Sequence, residues 1–142
     1  MTQTDDLLAQ VRHAYPEGVP NLFRTLTGNR AVLAGFMALD SQLENDGVLT
    51  PAERLIVGLI TATHVDVPDH LRYRALFQAT QRLLVTHGRL PRAEIAHFAR
   101  FGLDEAALLE VIAVIGEFTI ATHANNLVRT RIDPEYRDAD QS

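Results

Sequence analysis

Apolar residues recur along the chain with the period of an α-helix, and no segment keeps the two-residue alternation of a strand. Glycine, asparagine and proline separate the periodic segments, because these residues end or restart helices. The predicted helices lie at about 5–13, 21–27, 29–46, 50–64, 66–87, 91–101 and 104–131. The sequence therefore predicts one all-α domain of six to seven helices over residues 1–142, with a polar tail at 135–142.

The last predicted helix is apolar almost all the way round, which is typical of a helix at the centre of a fold or one covered by a neighbouring subunit. Glu110 and Glu117 interrupt it, so we expect a buried helix rather than a membrane span. Small residues alternate with these two carboxylates in one narrow sector, which suits close helix contact. If Glu117 lies at a subunit contact, we expect it to pair with an arginine. If it is buried without a partner, its pKa should rise.

Composition narrows the chemistry. The 142 residues carry a net charge of −5 without a basic cluster, which argues against a nucleic-acid surface. The chain has no cysteine, which excludes a disulfide, a thiolate nucleophile and a sulfur-ligated metal. The acidic N-terminus lacks the pattern of a signal peptide, so we expect a cytoplasmic protein.

Several runs, in this order and spacing, resemble the carboxymuconolactone decarboxylase-like proteins, also called the alkylhydroperoxidase D-like family. The resemblance covers about residues 20–133. Its pieces are Pro20–Leu26, Ala34–Phe36, Leu49–Arg54, Gly88–Leu90, Ala99–Val111, Ala124–Leu127 and Ile132–Asp133. The resemblance implies a fold of antiparallel helices and a homo-oligomer, usually a trimer or a hexamer.

The peroxidases of that family carry a glutamate on one helix and a Cys-x-x-Cys-x-x-x-His run at the start of the next. One thiolate attacks the peroxide, the second resolves it as a disulfide, and the other two groups move protons. Counting without gaps from Thr50, the glutamate position falls on Leu55, the two cysteines on Val67 and His70, and the histidine on Arg74. All four positions are substituted, so a thiol peroxidase mechanism is excluded for this chain.

The decarboxylases of the family resemble the chain more loosely, through His70-Leu71-Arg72-Tyr73-Arg74-Ala75. Such an enzyme needs cations for a substrate carboxylate and an acid or base for the moving proton. His70 and Arg74 lie one helical turn apart and either form an acid–base or anion-binding pair or simply start a solvated helix. Glu53 is either a proton carrier or the helix-start carboxylate of the Thr50-Pro51-Ala52-Glu53 start.

Other candidate residues lie near the end of the last helix. His123, on its apolar side, is either a hydrogen-bonded core residue or, with Asn125 and Asn126, part of a pocket. His64 and His70, six apart across a proline turn, are not a metal signature, so neither a metal nor a cofactor is expected.

Three hypotheses follow. The leading one is a non-redox, homo-oligomeric family member whose ancestral site is lost or converted. The second is a cofactor-free lyase or decarboxylase acting on a small organic acid through His70, Arg72 and Arg74, with Glu53 or His123 nearby. The third is an oligomeric interaction or scaffold protein. None of them involves nucleic acid or a membrane.

Overall fold

The computed structural model describes residues 3–62 and 70–134, and within them every regular element is an α-helix. The seven helices are α1 (Gln3–Ala14), α2 (Asn21–Leu26), α3 (Arg30–Asp46), α4 (Pro51–Ala62), α5 (Leu71–Thr86), α6 (Arg92–Ala99) and α7 (Glu105–Val128). The predicted all-α class is confirmed. Three predictions lie outside the described residues. They are the end of the fourth helix at His64, the start of the fifth helix at 66–69 and the polar tail at 135–142.

Local signals explain most helix boundaries. The side chain of Asn29 accepts hydrogen bonds from the backbone N–H groups of Ala31 and Val32 and so caps α3. Gly88, with a φ of +80°, follows α5 in the left-handed conformation that favours glycine. The last helix is shorter than predicted: it ends at Val128 because Arg129 turns to a φ of +53°.

The contacts divide the chain into two compact units, Met1–Ala38 with Ile120–Ser142, and Leu39–Thr119. The sequence analysis predicts a single domain and has no signal for this division. Helices α3 and α7 contribute residues to both units, because the division falls inside them.

The first unit has a small core around α2. Its buried side chains are Val11, Phe23, Leu26, Leu33 and Phe36. The ring of Phe23 lies between Tyr15 and Phe36, with ring centroids 5.5 and 6.0 Å away, in the tilted and edge-on geometries that aromatic pairs prefer. The segment after α7 closes this unit. Asp133 accepts a hydrogen bond from the first N–H of α2, that of Asn21.

The second unit has the larger core. Thirteen buried residues from α3 to α7 form it: Leu43, Leu49, Val57, Ala75, Leu76, Ala79, Leu83, Phe98, Leu103, Ala107, Leu108, Val111 and Val114. A bidentate ion pair between Arg82 and Glu94 joins α5 to α6, with both N–O distances 2.8 Å. This unit holds most of the residues that the sequence singles out.

Helix α7, with 24 residues, is long and apolar enough to cross a membrane by length and composition alone. It is the only such helix among residues 3–62 and 70–134. Core helices of soluble proteins have the same composition, so this property alone is weak evidence for a membrane span. Glu110 and Glu117 on α7 are both buried.

Candidate functional site

Glu53 and Arg72 form an ion pair in the second unit. Glu53, at the start of α4, is 3% exposed, and Arg72 comes from the first turn of α5. The Nε of Arg72 donates to Oε1 of Glu53, and its Nη1 donates to the carbonyl of Phe101 at 2.8 Å. One guanidinium therefore joins the starts of α4 and α5 to the turn after α6. We call this set the Glu53–Arg72 clamp.

The same glutamate also caps its own helix. Its Oε2 accepts the N–H of Thr50 at 2.9 Å, and its N–H donates to the hydroxyl of Thr50 at 3.2 Å. This reciprocal pair is the capping box that the Thr50–Glu53 start predicts. The helix-start interpretation of Glu53 is thus confirmed.

Electrostatics keep the clamp ionised. Burial acts to raise the pKa of Glu53, but the hydrogen bonds from Arg72 and Thr50 outweigh burial and hold that pKa below its usual value. The hydrogen bond to Glu53 correspondingly raises the pKa of Arg72. Glu53 is consequently an ionised partner of a cation, which is a poor state for a proton carrier at neutral pH.

Gly102 leaves room for the clamp. It has a φ of +76°, and a Cβ built on it would lie 2.5 Å from Nη1 of Arg72. A side chain at this position would therefore displace the guanidinium. The close approach of the turn after α6 to α5 depends on this glycine.

His70 and Arg74 lie at the exposed start of α5. His70 precedes the helix in an extended conformation and makes no side-chain capping hydrogen bond. Its ring packs against Tyr73 with centroids 4.9 Å apart, and its carbonyl accepts the N–H of Arg74 at 2.8 Å. Both side chains face solvent, whereas Arg72 between them turns inward to Glu53. Of the predicted site residues, the structure thus brings together Glu53 and Arg72.

The positions matched to the family's catalytic groups do not form a described cluster. Leu55 is 55% exposed on α4, whereas Val67 lies outside the described residues. Among the residues that the structure describes, no three histidine or acidic side chains come together in a way that would hold a metal ion.

His123 and Asn126 belong to the first unit, in the last turns of α7, and both are exposed. His123 is therefore not the core residue of the first alternative, and the second alternative, a pocket with Asn125 and Asn126, stays a prediction. Because α7 is apolar on every side, apolar neighbours do not mark its inward face. Next to it, Oδ1 of Asn125, a residue of that predicted pocket, is buried and has no hydrogen-bond partner among the residues that the structure describes.

Glu117 contacts a second carboxyl group, and the sequence does not predict this contact. Asp40 on α3 lies within hydrogen-bonding reach of Glu117 on α7, and Arg54 of α4 acts on Glu117 through its charge. Burial first, and then Asp40, raise the pKa of Glu117 to about 7, while Arg54 opposes the rise. The rise in pKa that the sequence analysis expects for a buried Glu117 is thus found, whereas the arginine pair expected at a subunit contact stays a prediction. Asp40 gives no sequence signal, since it lies 77 residues from Glu117 along the chain.

Two turns earlier on α7, Glu110 binds backbone N–H groups instead of another carboxyl group. Its carboxylate accepts the N–H groups of Val48 and Leu49, in the loop between α3 and α4. Gly47 permits this approach, because a Cβ there would lie 2.3 Å from Oε1 of Glu110. Glu110 is a structural residue that holds the loop.

The concave surfaces of the described residues include a polar cleft and an apolar depression. A polar cleft of about 670 Å³ in the first unit lies between the 17–25 segment and the 128–134 segment, with Arg24, Arg131 and Asp133 in its wall. A shallow apolar depression of about 230 Å³ in the second unit lies between the end of α5 and Ile112 and Ile115 of α7. Neither contains the Glu53–Arg72 clamp.

Comparisons with known proteins leave the family open. No protein-family model matches the chain, and no curated protein matches it.

Proposed function

We propose that this chain is a cysteine-free, non-redox protein of the carboxymuconolactone decarboxylase-like kind that works as a homo-oligomer. The observation that carries the proposal is the surface of α4. Every exposed residue of this helix is apolar: Pro51, Ala52, Leu55, Leu59 and Ala62. We call these five residues the α4 face.

A solvated helix normally presents charged or polar residues to water. On α4 the only charged residues are Glu53, which is buried, and Arg54, which is partly buried and donates to the carbonyl of Leu43. Leu55 and Leu59 are 55% and 40% exposed, and Val48 beside the helix is 61% exposed. Contiguous apolar surface of this kind is typical of contact surfaces between proteins.

The position of Leu55 supports association in place of catalysis. In the resemblance, this position belongs to the proton-carrying glutamate of the peroxidases. A leucine there supplies apolar contact area instead of proton transfer. We infer that this position has been converted from catalysis to association, and that a second copy of the chain covers the α4 face in a trimer or hexamer.

The lyase hypothesis meets a physical obstacle. A substrate carboxylate bound by Arg72 has to displace Glu53, which is buried and would lose its cation. Leaving a buried carboxylate unpaired costs several kcal/mol. His70 and Arg74 remain accessible, but without Arg72 they are two side chains on an open surface rather than an enclosed site.

The test compares Leu55→Glu with Gln78→Glu, in which the same charge is gained at an exposed position of α5. Light scattering coupled to size exclusion measures the mass of each variant. We expect wild type and Gln78→Glu to share one oligomeric mass and Leu55→Glu to dissociate, because burying a new carboxylate at the contact is costly. An unchanged oligomeric mass of Leu55→Glu would show that α4 does not lie in the interface. Peroxide turnover with a dithiol donor would refute the non-redox assignment.

A further inference from the structure

The polar cleft of the first unit has the size of a ligand site. Its wall comes from two segments that lie far apart in the chain, 17–25 and 128–134. Its volume of about 670 Å³ lies within the range of roughly 300–1,000 Å³ that sites for small molecules occupy. The cleft can therefore hold a ligand of low molecular weight.

Hydrogen bonds join the two segments that form the wall. The backbone N–H of Asn21 donates to the carboxylate of Asp133 at 3.0 Å, and the side-chain amide of Asn21 donates to the carbonyl of Arg131 at 2.8 Å. The hydroxyl groups of Thr25 and Thr130 share a further hydrogen bond. The chain's own contacts thus fix the two segments to each other, which lowers the entropy cost of binding a ligand between them.

The charged side chains of the wall are two acids and two arginines, so their charges cancel: Glu17, Arg24, Arg131 and Asp133. The Nε of Arg24 donates to the carbonyl of Val19 at 3.1 Å. This bond orients the guanidinium and leaves its two Nη groups as donors for a ligand. A guanidinium binds a carboxylate through two parallel N–H···O bonds, and a carboxylate binds an ammonium group through charge-assisted hydrogen bonds.

We propose that this cleft binds a small zwitterion with one ammonium and one carboxylate group, as free amino acids and short peptides have. A ligand with negative charge alone is attracted by the two arginines but repelled by the two acids, and the reverse holds for a cation. A zwitterion offers each kind of side chain the opposite charge. Arg24 and Arg131 bind its carboxylate. Glu17 binds its ammonium group, since Asp133 already accepts the N–H of Asn21.

This site is independent of the proposed oligomer, because no residue of the α4 face lines the cleft. It also differs from the site of the lyase hypothesis, since His70, Arg72 and Arg74 do not line the cleft either. The binding of a zwitterion can therefore be tested whatever the mass of the particle.

Titration of the full ¹⁵N-labelled chain, followed by NMR, tests the proposal. The backbone amides of Asn21 and Thr130 lie in the wall and report on a ligand in the cleft. The probes are the standard free amino acids, diglycine and triglycine; the two peptides carry the same end charges further apart. We expect at least one probe to give saturable shifts with a Kd below about 1 mM. The absence of saturable shifts at both amides with every probe would overturn the proposal.

Matched ligands test the two charges of the probe that binds best. For an amino acid these are the amine without the carboxylate and the acid without the ammonium group, and for a peptide they are its amidated and acetylated forms. Each should bind at least about tenfold more weakly, because each loses one set of charge-assisted hydrogen bonds. Equal binding of the acid that lacks the ammonium group would contradict a zwitterion site.

Two variants at exposed positions of the wall test the residues. Arg131→Gln removes a cation and Glu17→Gln removes an anion, and each should weaken binding of the best probe about tenfold. The matched controls, Arg30→Gln and Asp6→Asn, remove the same charges from exposed positions of the first unit outside the cleft and should keep the wild-type affinity. Wild-type affinity in both cleft variants, or an equal loss in the controls, would overturn the assignment of the site.

Discussion

Replacement of Arg72 by methionine is the sharpest probe of the Glu53–Arg72 clamp. Methionine keeps the length and the apolar stem of the side chain but removes two hydrogen bonds, to Glu53 and to the carbonyl of Phe101. A hydrogen bond to a charged group contributes about 1.5–3 kcal/mol, and the 32% exposure of Arg72 favours the lower end. We therefore expect the free energy of unfolding to fall by about 3 kcal/mol at neutral pH.

The pH dependence gives the loss a signature. In the wild type the pKa of Glu53 lies below its ordinary value, so its stabilisation is present above that ordinary pKa and is lost as the pH falls through the lowered pKa. Without Arg72, burial acts on Glu53 with less opposition and the pKa rises. Since protonation of Glu53 removes the unpaired charge, the deficit of Arg72→Met should shrink as the solution is acidified.

Urea unfolding followed by circular dichroism, at neutral and at acidic pH, measures both effects. Arg89→Met, at an exposed arginine after α5, is the control and should stay within about 0.5 kcal/mol of the wild type. Wild-type stability of Arg72→Met at neutral pH would refute the clamp. It would also restore Arg72 as a free cation for a substrate carboxylate, as the lyase hypothesis requires.

Three further substitutions test packing and capping. Gly58→Ala should cost about 1–3 kcal/mol in urea unfolding, since its Cβ would lie 2.2 Å from the Phe118 ring. Gly35→Ala, whose Cβ meets nothing within 4 Å, should instead stabilise α3 by up to about 1 kcal/mol; equal effects would disprove the close packing. Asp133→Ala should cost about 1 kcal/mol and speed hydrogen exchange of the Asn21 amide, which Asp133 accepts at 3.0 Å. An unchanged exchange rate would rule out this cap.

Local signals in the sequence are sufficient to predict where the helices lie. Thr50 and Glu53 form their capping box, and Asn29 caps α3, because these interactions join residues two or three apart. Boundaries were less accurate where tertiary contacts decide them. The end of α7 is an example, since the segment after it binds α2: the side-chain amide of Asn21 donates to the carbonyl of Arg131 at 2.8 Å.

The sequence does not predict which charged side chains contact each other. Arg72 and Glu53 are 19 residues apart, and Asp40 and Glu117 are 77 apart, so only the packing of helices brings them together. The exposed position of His123 was missed for a related reason. On a helix that is apolar on every side, the inward face is set by its neighbours, and hydrophobic periodicity carries no information about it.

The central claim is that the apolar α4 face is covered by further copies of the chain, and sedimentation equilibrium of the wild-type protein tests it most directly. The account predicts a particle of three or six times the 15.8 kDa chain mass that persists at low micromolar concentration. A particle of 15.8 kDa at every concentration would contradict it.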